Sequence, residues 1–468
     1  MAKRFQLRLD RSGKTPLAQQ IYKGIAAAID SGVLVPGARL PSWRDLAAQL
    51  GVARGTVRVA YERLSDAQLI VASRSAGTHV AKRPSTSAVR DVPKESSLFA
   101  DLFPAFSSAP ALFQVGVPAP ECFPAKLFAR IRARAVRTET WSSASYPDPR
   151  GEPELRREIA AHLMLARGVA CSPSQIIITG GFAGALGLVL RALALEGRTA
   201  WMEDPCFPLS RRGLELGGLQ PVPIPVDDDG MDVEYGLEHA PDAALALVTP
   251  GQQAPIGSTL SLARRLRLLD WAAKTGAWIL EDDYLSELQL RGRAAPALAS
   301  LDRDGRIIHM GSFSKTISPT LRLGFIVAPP SMAASFAEVA ACLAPAPGPA
   351  VQHATAEFMR EGHYMRHLRR TKRIYSKQQD ALLSCLEGRV SSVSRAGLSV
   401  RVPLPKGARD TEIAKRALTY GLAPTALSPW YMRPTARRSG LLLGVATAPL
   451  ERIPAACDRL YRAIDLLA

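Results

Sequence analysis

Leu17, Ile21, Ile25 and Ile29 recur at every fourth position and predict one helix with a single apolar face, closed by Ser31-Gly32 and followed by Pro36-Gly37. Pro41-Ser42-Trp43-Arg44-Asp45 reads as a capping box, with Ser42 as N-cap and Asp45 three residues on. It opens a short helix that buries Leu46, Ala47 and Leu50 before Gly51 turns the chain. A third helix from about Arg54 carries Val57, Ala60, Tyr61 and Leu64 inward and leaves Arg54, Thr56 and Arg58 to solvent at its start. Two short helices across a glycine turn form a helix-turn-helix. Leu69-Ile70-Val71, a polar turn from Ser73 to Gly77, and Thr78-His79-Val80 suit a small hairpin, or wing.

Residues 84–111 are rich in Pro, Ser and Ala and have neither period, which predicts a connector between domains at 1–83 and 112–468. From about residue 150 strand-like runs alternate with helical ones: 175–179, 244–248, 277–280, 306–310 and 324–327. This alternation predicts an α/β domain with a largely parallel sheet, whose ligands gather at the carboxyl ends of its strands.

Composition narrows the function class. The 468 residues carry a net charge of +17 with 47% hydrophobic and 22% charged residues, ordinary globular values that exclude a wholly disordered chain. Residues 1–83 hold 14 Lys/Arg against 5 Asp/Glu, so more than half of the excess charge sits on the small amino-terminal segment, as a polyanion-binding face requires. The six cysteines lie 35 or more residues apart, with no CxxC pair to suggest a zinc or redox site, so no metal is expected and a reducing cytoplasm fits. No export signal or apolar run long enough to span a bilayer is visible.

The run from Pro16 to Leu64, PLAQQIYKGIAAAIDSGVLVPGARLPSWRDLAAQLGVARGTVRVAYERL, resembles the winged-helix DNA-binding domain of GntR-type bacterial regulators, and AGTHV continues into its wing. The resemblance implies double-stranded DNA as partner. Arg44, Arg54, Thr56 and Arg58 would contact it, with Gly77 at the wing tip near the minor groove. Arg54 and Arg58 suit either guanine edges or phosphates.

Three polar groups fall at predicted strand ends of the large domain: the turn Gly180-Gly181-Phe182-Ala183-Gly184, the run Glu281-Asp282-Asp283-Tyr284, and Gly311-Ser312-Phe313-Ser314-Lys315 with Arg322 seven residues beyond the lysine. Pyridoxal phosphate uses all of these together: an amine for a Schiff base, a carboxylate for its ring nitrogen, a donor for its phenolic oxygen, and cations with N–H groups for its phosphate. Their order resembles fold-type I aminotransferases, specifically the MocR subgroup that fuses such a domain, with its small carboxy-terminal α+β subdomain, to a GntR-type winged helix. The matching segments include YPDPRG, EDPCFP, ILEDDY and GSFSKTISPTLRLGF.

That resemblance implies Lys315 as the Schiff-base lysine, Asp282 as partner of the pyridine nitrogen and Tyr284 as donor to the phenolic oxygen. Arg322, Ser312 and Ser314 would hold the phosphate with the N–H groups of Gly181, Phe182 and Ala183, and Phe207 would stack on the ring. Tyr146 would reach the phosphate of the other subunit in a homodimer, in which each winged helix lies near its partner's large domain. Two departures bear on chemistry. The subgroup's TPSHQ motif reads Thr249-Pro250-Gly251-Gln252-Gln253 here, where either glutamine replaces a hydrogen bond near the ring. The place of the substrate-carboxylate arginine falls on Leu442, with Arg433, Arg437 and Arg438 close in sequence.

The expectation is a cytoplasmic, pyridoxal-phosphate-dependent DNA-binding regulator that senses the cofactor, an amine or an amino acid. The alternative is a working aminotransferase with an appended DNA-binding domain. A third reading keeps the regulator but makes the cofactor structural and a protein partner the signal.

Overall fold

The structure, a computed structural model, describes residues 7, 9–13, 15–73, 77–82, 111–141, 145–390 and 392–465. The chain divides into two compact units, residues 1–101 and 102–468. The connector expected over 84–111 lies outside the described residues except for Ala111, as do positions 74–76 of the wing turn.

In the first unit α1 (Leu17–Asp30), α2 (Trp43–Leu50) and α3 (Arg54–Asp66) precede a hairpin of β1 (Ile70–Ser73) and β2 (Gly77–Val80). The Ser42 hydroxyl accepts the Asp45 N–H at 3.2 Å and donates to the Asp45 carboxylate at 2.7 Å, so Ser42 caps α2 where its sequence places it, while the Asp45 side chain bonds the hydroxyl and not the Ser42 N–H of a full capping box. Gly51, in the left-handed region at φ 60°, ends α2. Arg11 donates to the Leu50 and Gly51 carbonyls, satisfying groups that the helix end leaves unpaired. Ile21 and Ile25 of α1 pack with Leu46, Val57, Ala60, Leu64, Ile70 and Val80 in one core. The segment 37–40 adds a third strand to the wing. Gly37 N–H donates to the Val80 carbonyl, Val80 N–H to Ala38, and Leu40 N–H to Thr78, at 2.8–2.9 Å.

The second unit holds an eight-stranded sheet in the order β3-β10-β9-β8-β7-β4-β5-β6. Its strands are β3 (Ile176–Thr179), β4 (Thr199–Asp204), β5 (Gln220–Asp227), β6 (Gly230–Met231), β7 (Leu245–Val248), β8 (Trp278–Asp283), β9 (Ile307–Ser312) and β10 (Gly324–Val327). Strands β5, β4, β7, β8 and β9 run parallel, while β10 runs antiparallel to both neighbours. Every residue of β3, β7 and β10 is buried, as expected of strands covered on both faces. A second, antiparallel sheet has the order β11-β12-β14-β13, with β11 (Ser394–Ala396), β12 (Ser399–Pro403), β13 (Thr425–Ala426) and β14 (Gly440–Gly444). With the helices Asp410–Thr419 and Ile453–Asp465 it forms the small α+β subdomain. Residues 112–113 run along it: Ala423 N–H donates to the Leu112 carbonyl and Gly444 N–H to Phe113, both at 2.7 Å.

The antiparallel sense of β10 matters for the site. Gly324 pairs with Thr179 on one side and Ser312 on the other, so Arg322 is delivered to the edge where β3 and β9 end. A Cβ at Gly324 would lie 2.9 Å from the Gly311 carbonyl and 3.0 Å from the Gly181 Cα, so only glycine allows these three backbones to meet.

Leu64 is fully buried between α1, the wing and α2. Leu64→Ala is expected to cost ~2–5 kcal/mol, and Ser42→Ala, which removes the cap alone, ~1 kcal/mol. Hydrogen exchange of the α1–α3 amides in the full chain measures both; equal losses would contradict the packing described.

Candidate functional site

The end of β8 organises the site in the second unit. Side chains of a strand alternate between faces, so Glu281 and Asp283 share one side and Asp282 takes the other. Glu281 is buried, accepts the N–H groups of Leu298 and Ala299 at 2.6 and 2.9 Å, and contacts His309 Nδ1 at 2.9 Å. Asp283 accepts from Arg167 Nε at 2.7 Å, with His309 Nε2 at 3.9 Å. Although burial alone would lower it, Glu281 holds the His309 pKa above its ordinary value.

The Asp282 side chain is half-buried on the other face, and its carboxylate receives no hydrogen bond from any described residue. Burial, with the nearby charges of Asp283 and Glu203, pushes its pKa up to about 8, opposed by His309 and Lys315. Tyr284 is likewise half-buried, its hydroxyl pKa raised by burial and by the charges of Asp282 and Glu203. Lys315 stands three residues past β9, in a loop where the Ser312 hydroxyl accepts the Ser314 N–H at 3.2 Å. Its amine donates to the Gly116 carbonyl. Burial draws its pKa down to about 8 against the attraction of Asp282, so a part of the population is a neutral, nucleophilic amine near neutral pH.

The opposite pole is built for an anion. Gly181, at φ 81°, turns the chain from β3 into the helix Phe182–Leu193, whose first N–H groups, at Phe182, Ala183 and Gly184, have no partner within the helix. The Arg322 guanidinium lies 3.8 Å from where a Cβ on Gly181 would stand and donates to the Gly180 carbonyl at 3.0 Å. Arg322 itself is in the left-handed region at φ 48° and exposed.

The third wall includes residues that sequence reasoning missed. Glu203, buried at the end of β4, accepts the Thr249 N–H at 3.0 Å and the Gln253 amide at 3.1 Å, and burial raises its pKa to about 7. The signal was present in the acid opening EDPCFP. Of the two glutamines, Gln253 therefore ties Glu203, while Gln252 donates to the Leu285 carbonyl at 3.1 Å. Phe207 is half-buried and packs on Trp430 with ring centroids 5.6 Å apart. Leu442 is buried with Leu427, Trp430 and Tyr431. Arg433 pairs with the buried Asp204 at 2.9 Å, whereas Arg437 and Arg438 are exposed.

The structure thus brings Gly181, Phe182, Ala183, Ser312 and Arg322 to one edge of the sheet, with Asp282 near enough to both Tyr284 and Lys315 that its charge pulls the pKa of each upward. Tyr146 is not brought in: it is fully exposed on the single chain. This donor set fits pyridoxal phosphate. A carboxylate without a hydrogen-bond partner among the described residues suits a ring nitrogen, an amine stands nearby, and helix-start N–H groups with a guanidinium suit a phosphate.

In the first unit Arg54 and Arg58 project from the start of α3, and Thr56 is half-buried there. Arg58 pairs with Glu62 at 3.3 Å, both exposed. The Arg44 guanidinium stacks over Trp43 at 4.9 Å, and Gly77 opens β2 at φ 82°. Among the described residues no helix is long and apolar enough to cross a membrane.

Residues 17–80 match the bacterial regulatory proteins of the gntR family and residues 119–438 the aminotransferases of class I and II. The chain is 33% identical to the probable rhizopine catabolism regulatory protein MocR of Rhizobium meliloti, over 94% of this chain and 92% of that one. It is 32% identical to the pyridoxine biosynthesis transcriptional regulator PdxR of Corynebacterium glutamicum, over 80% and 79%. Among solved structures it is similar to LysN, the α-aminoadipate aminotransferase of Thermus thermophilus, complexed with N-(5'-phosphopyridoxyl)-L-leucine. The TM-score is 0.70 at 28% identity, covering 80% of this chain and 95% of that one.

The raised pKa of Asp282 has a stability consequence. Between its ordinary value of 3.8 and about 8 the folded, cofactor-free chain holds a proton that the unfolded chain releases, so stability falls as pH rises through that window. Asp282→Asn should therefore melt progressively above the parent chain from about pH 5 to pH 8 and lose that margin near pH 4. Thermal melts of the cofactor-free full chain test this; a margin independent of pH would contradict the assignment.

Proposed function

The chain belongs to the MocR-type transcriptional regulators, a GntR winged helix joined to an aminotransferase-like domain, and from this we propose that it binds operator DNA and senses pyridoxal 5'-phosphate, an amine or an amino acid at Lys315. The observation that carries the reading is the pairing of a Lys315 amine of lowered pKa with an unpartnered Asp282 carboxylate, beside a separate anion pole at Gly181 and Arg322.

Pyridoxal 5'-phosphate supplies, when bound, an aldehyde that combines reversibly with amines. Lys315 is the resident amine for it. Asp282, whose pKa falls once a cation stands beside it, would hold a proton on the ring nitrogen, and Tyr284 would donate to the phenolic oxygen. Arg322, Ser312, Ser314 and the N–H groups of Gly181, Phe182 and Ala183 would bind the phosphate, and Phe207 would cover one ring face. Lys315 would be the group whose engagement or release reports the effector, and the two states of its nitrogen would differ in operator affinity.

We place the protein in the bacterial cytoplasm as a homodimer. Its paired winged helices would read two half-sites, and the exposed Tyr146 would reach the anion pole of the partner subunit. The retention of the lysine, carboxylate and tyrosine together keeps the aminotransferase reading in play. Steady turnover of amino acids by the purified protein would favour it.

Reconstitution with pyridoxal phosphate should give a visible absorption band that borohydride removes and that Lys315→Ala abolishes; a protein that stays colourless overturns the cofactor assignment. On a fragment of the chain's own upstream region, Arg54→Ala or Arg58→Ala should weaken binding by ~1–3 kcal/mol where the residue reads a base. Binding isotherms at fixed salt measure this, and unchanged affinity would remove the residue from the interface.

A further inference from the structure

The wing carries a cation that none of the assignments above uses. Leu40, Val80 and Ile70 point into the core of the first unit. The two-residue period then turns their neighbours outward: Arg39 is bridged to His79, and His79 is paired with Val71, so these three form one row across the three-stranded wing. Val71 is 58% exposed, and Arg39 is exposed too.

Arg39 makes no ion pair or side-chain hydrogen bond with any described residue. Its guanidinium leans along the strand toward the hairpin end, 3.5–3.9 Å from where a Cβ on Gly77 would stand. The sequence has no Asp or Glu over 31–44 or 67–82, so no acid within these stretches neutralises it. The strand is also tied to α3, because the Tyr61 hydroxyl donates to the Pro41 carbonyl at 2.8 Å. A free guanidinium is therefore held at a set distance from the helix that offers Arg54 and Arg58.

We propose that Arg39 is a DNA-contact residue that enters the minor groove beside the bases faced by α3 and makes the protein sensitive to the A·T content of that flank. An unpaired arginine whose guanidinium lies beside Gly77, at the start of β2, suits the negative potential of a narrow A·T minor groove. The inference rests on the DNA-binding reading and adds to it a residue and a preference that α3 alone does not supply.

The test uses the full chain and a fragment of its upstream region in two versions, with the sequence flanking the half-sites made A·T-rich or G·C-rich. The parent protein should prefer the A·T flank. Arg39→Ala should lose about tenfold in affinity on that version, the size of one good contact, and bind both versions alike, with the slope of log affinity against log salt reduced by about one. Arg39→Lys should keep the salt slope and lose most of the preference. Unchanged binding by Arg39→Ala, or an equal loss on both flanks, overturns the proposal, the second by assigning Arg39 to phosphate alone. Absence of binding by the parent protein to either version would instead overturn the DNA-binding reading. Arg39 is exposed, so an unchanged melting temperature for Arg39→Ala is expected, and its loss would assign the residue to wing stability.

Discussion

Three consecutive acids at a strand end are tolerable only because the strand separates them. The two-residue period of β8 sends Glu281 and Asp283 into a buried set with Arg167 and His309, where each carboxylate meets a basic group, and turns Asp282 alone to the other face. The isolated carboxylate keeps its affinity for a proton because burial and its acidic neighbours disfavour the charge. Glu203 deepens this effect, and Lys315 opposes it. The site's electrostatics thus follow from one strand's alternation, with His309 supplied by the neighbouring β9.

The anion pole rests on a different constraint, the close approach of three backbones. Gly181, Gly311 and Gly324 come together where β3, β9 and β10 meet, and no side chain fits between them. That contact puts the Phe182–Leu193 helix start, Ser312 and Arg322 along one edge. An antiparallel strand inserted in a parallel sheet is what makes it work, because β10 begins where its neighbours end.

Much of this was legible in the sequence. The fourfold spacing of Leu17, Ile21 and Ile25, the Ser42 N-cap and Gly51 after α2 set local geometry through neighbouring residues, and Ser-x-Ser-Lys and the acidic strand end stand within short segments. What escaped notice depends on long-range contact. The Arg167–Asp283 pair is one such case, since nothing local announces a partner more than a hundred residues away. Strand β5 was hidden by Pro221, Pro223 and Pro225. Prolines at alternate positions lack N–H groups along one side only, so the strand still bonds β4, while its other side meets the two-residue β6. Glu203 was visible as a residue, but its role depends on Thr249 and Gln253, brought in by β7.

The bond from the Lys315 amine to the Gly116 carbonyl joins two parts of the second unit. Lys315 belongs to the loop after β9, whereas Gly116 lies three residues beyond the backbone that pairs with β14 and Ala423 in the small subdomain. The nitrogen is therefore a strut within the unit. Whatever engages the nitrogen removes a tie between the loop after β9 and the segment entering the subdomain.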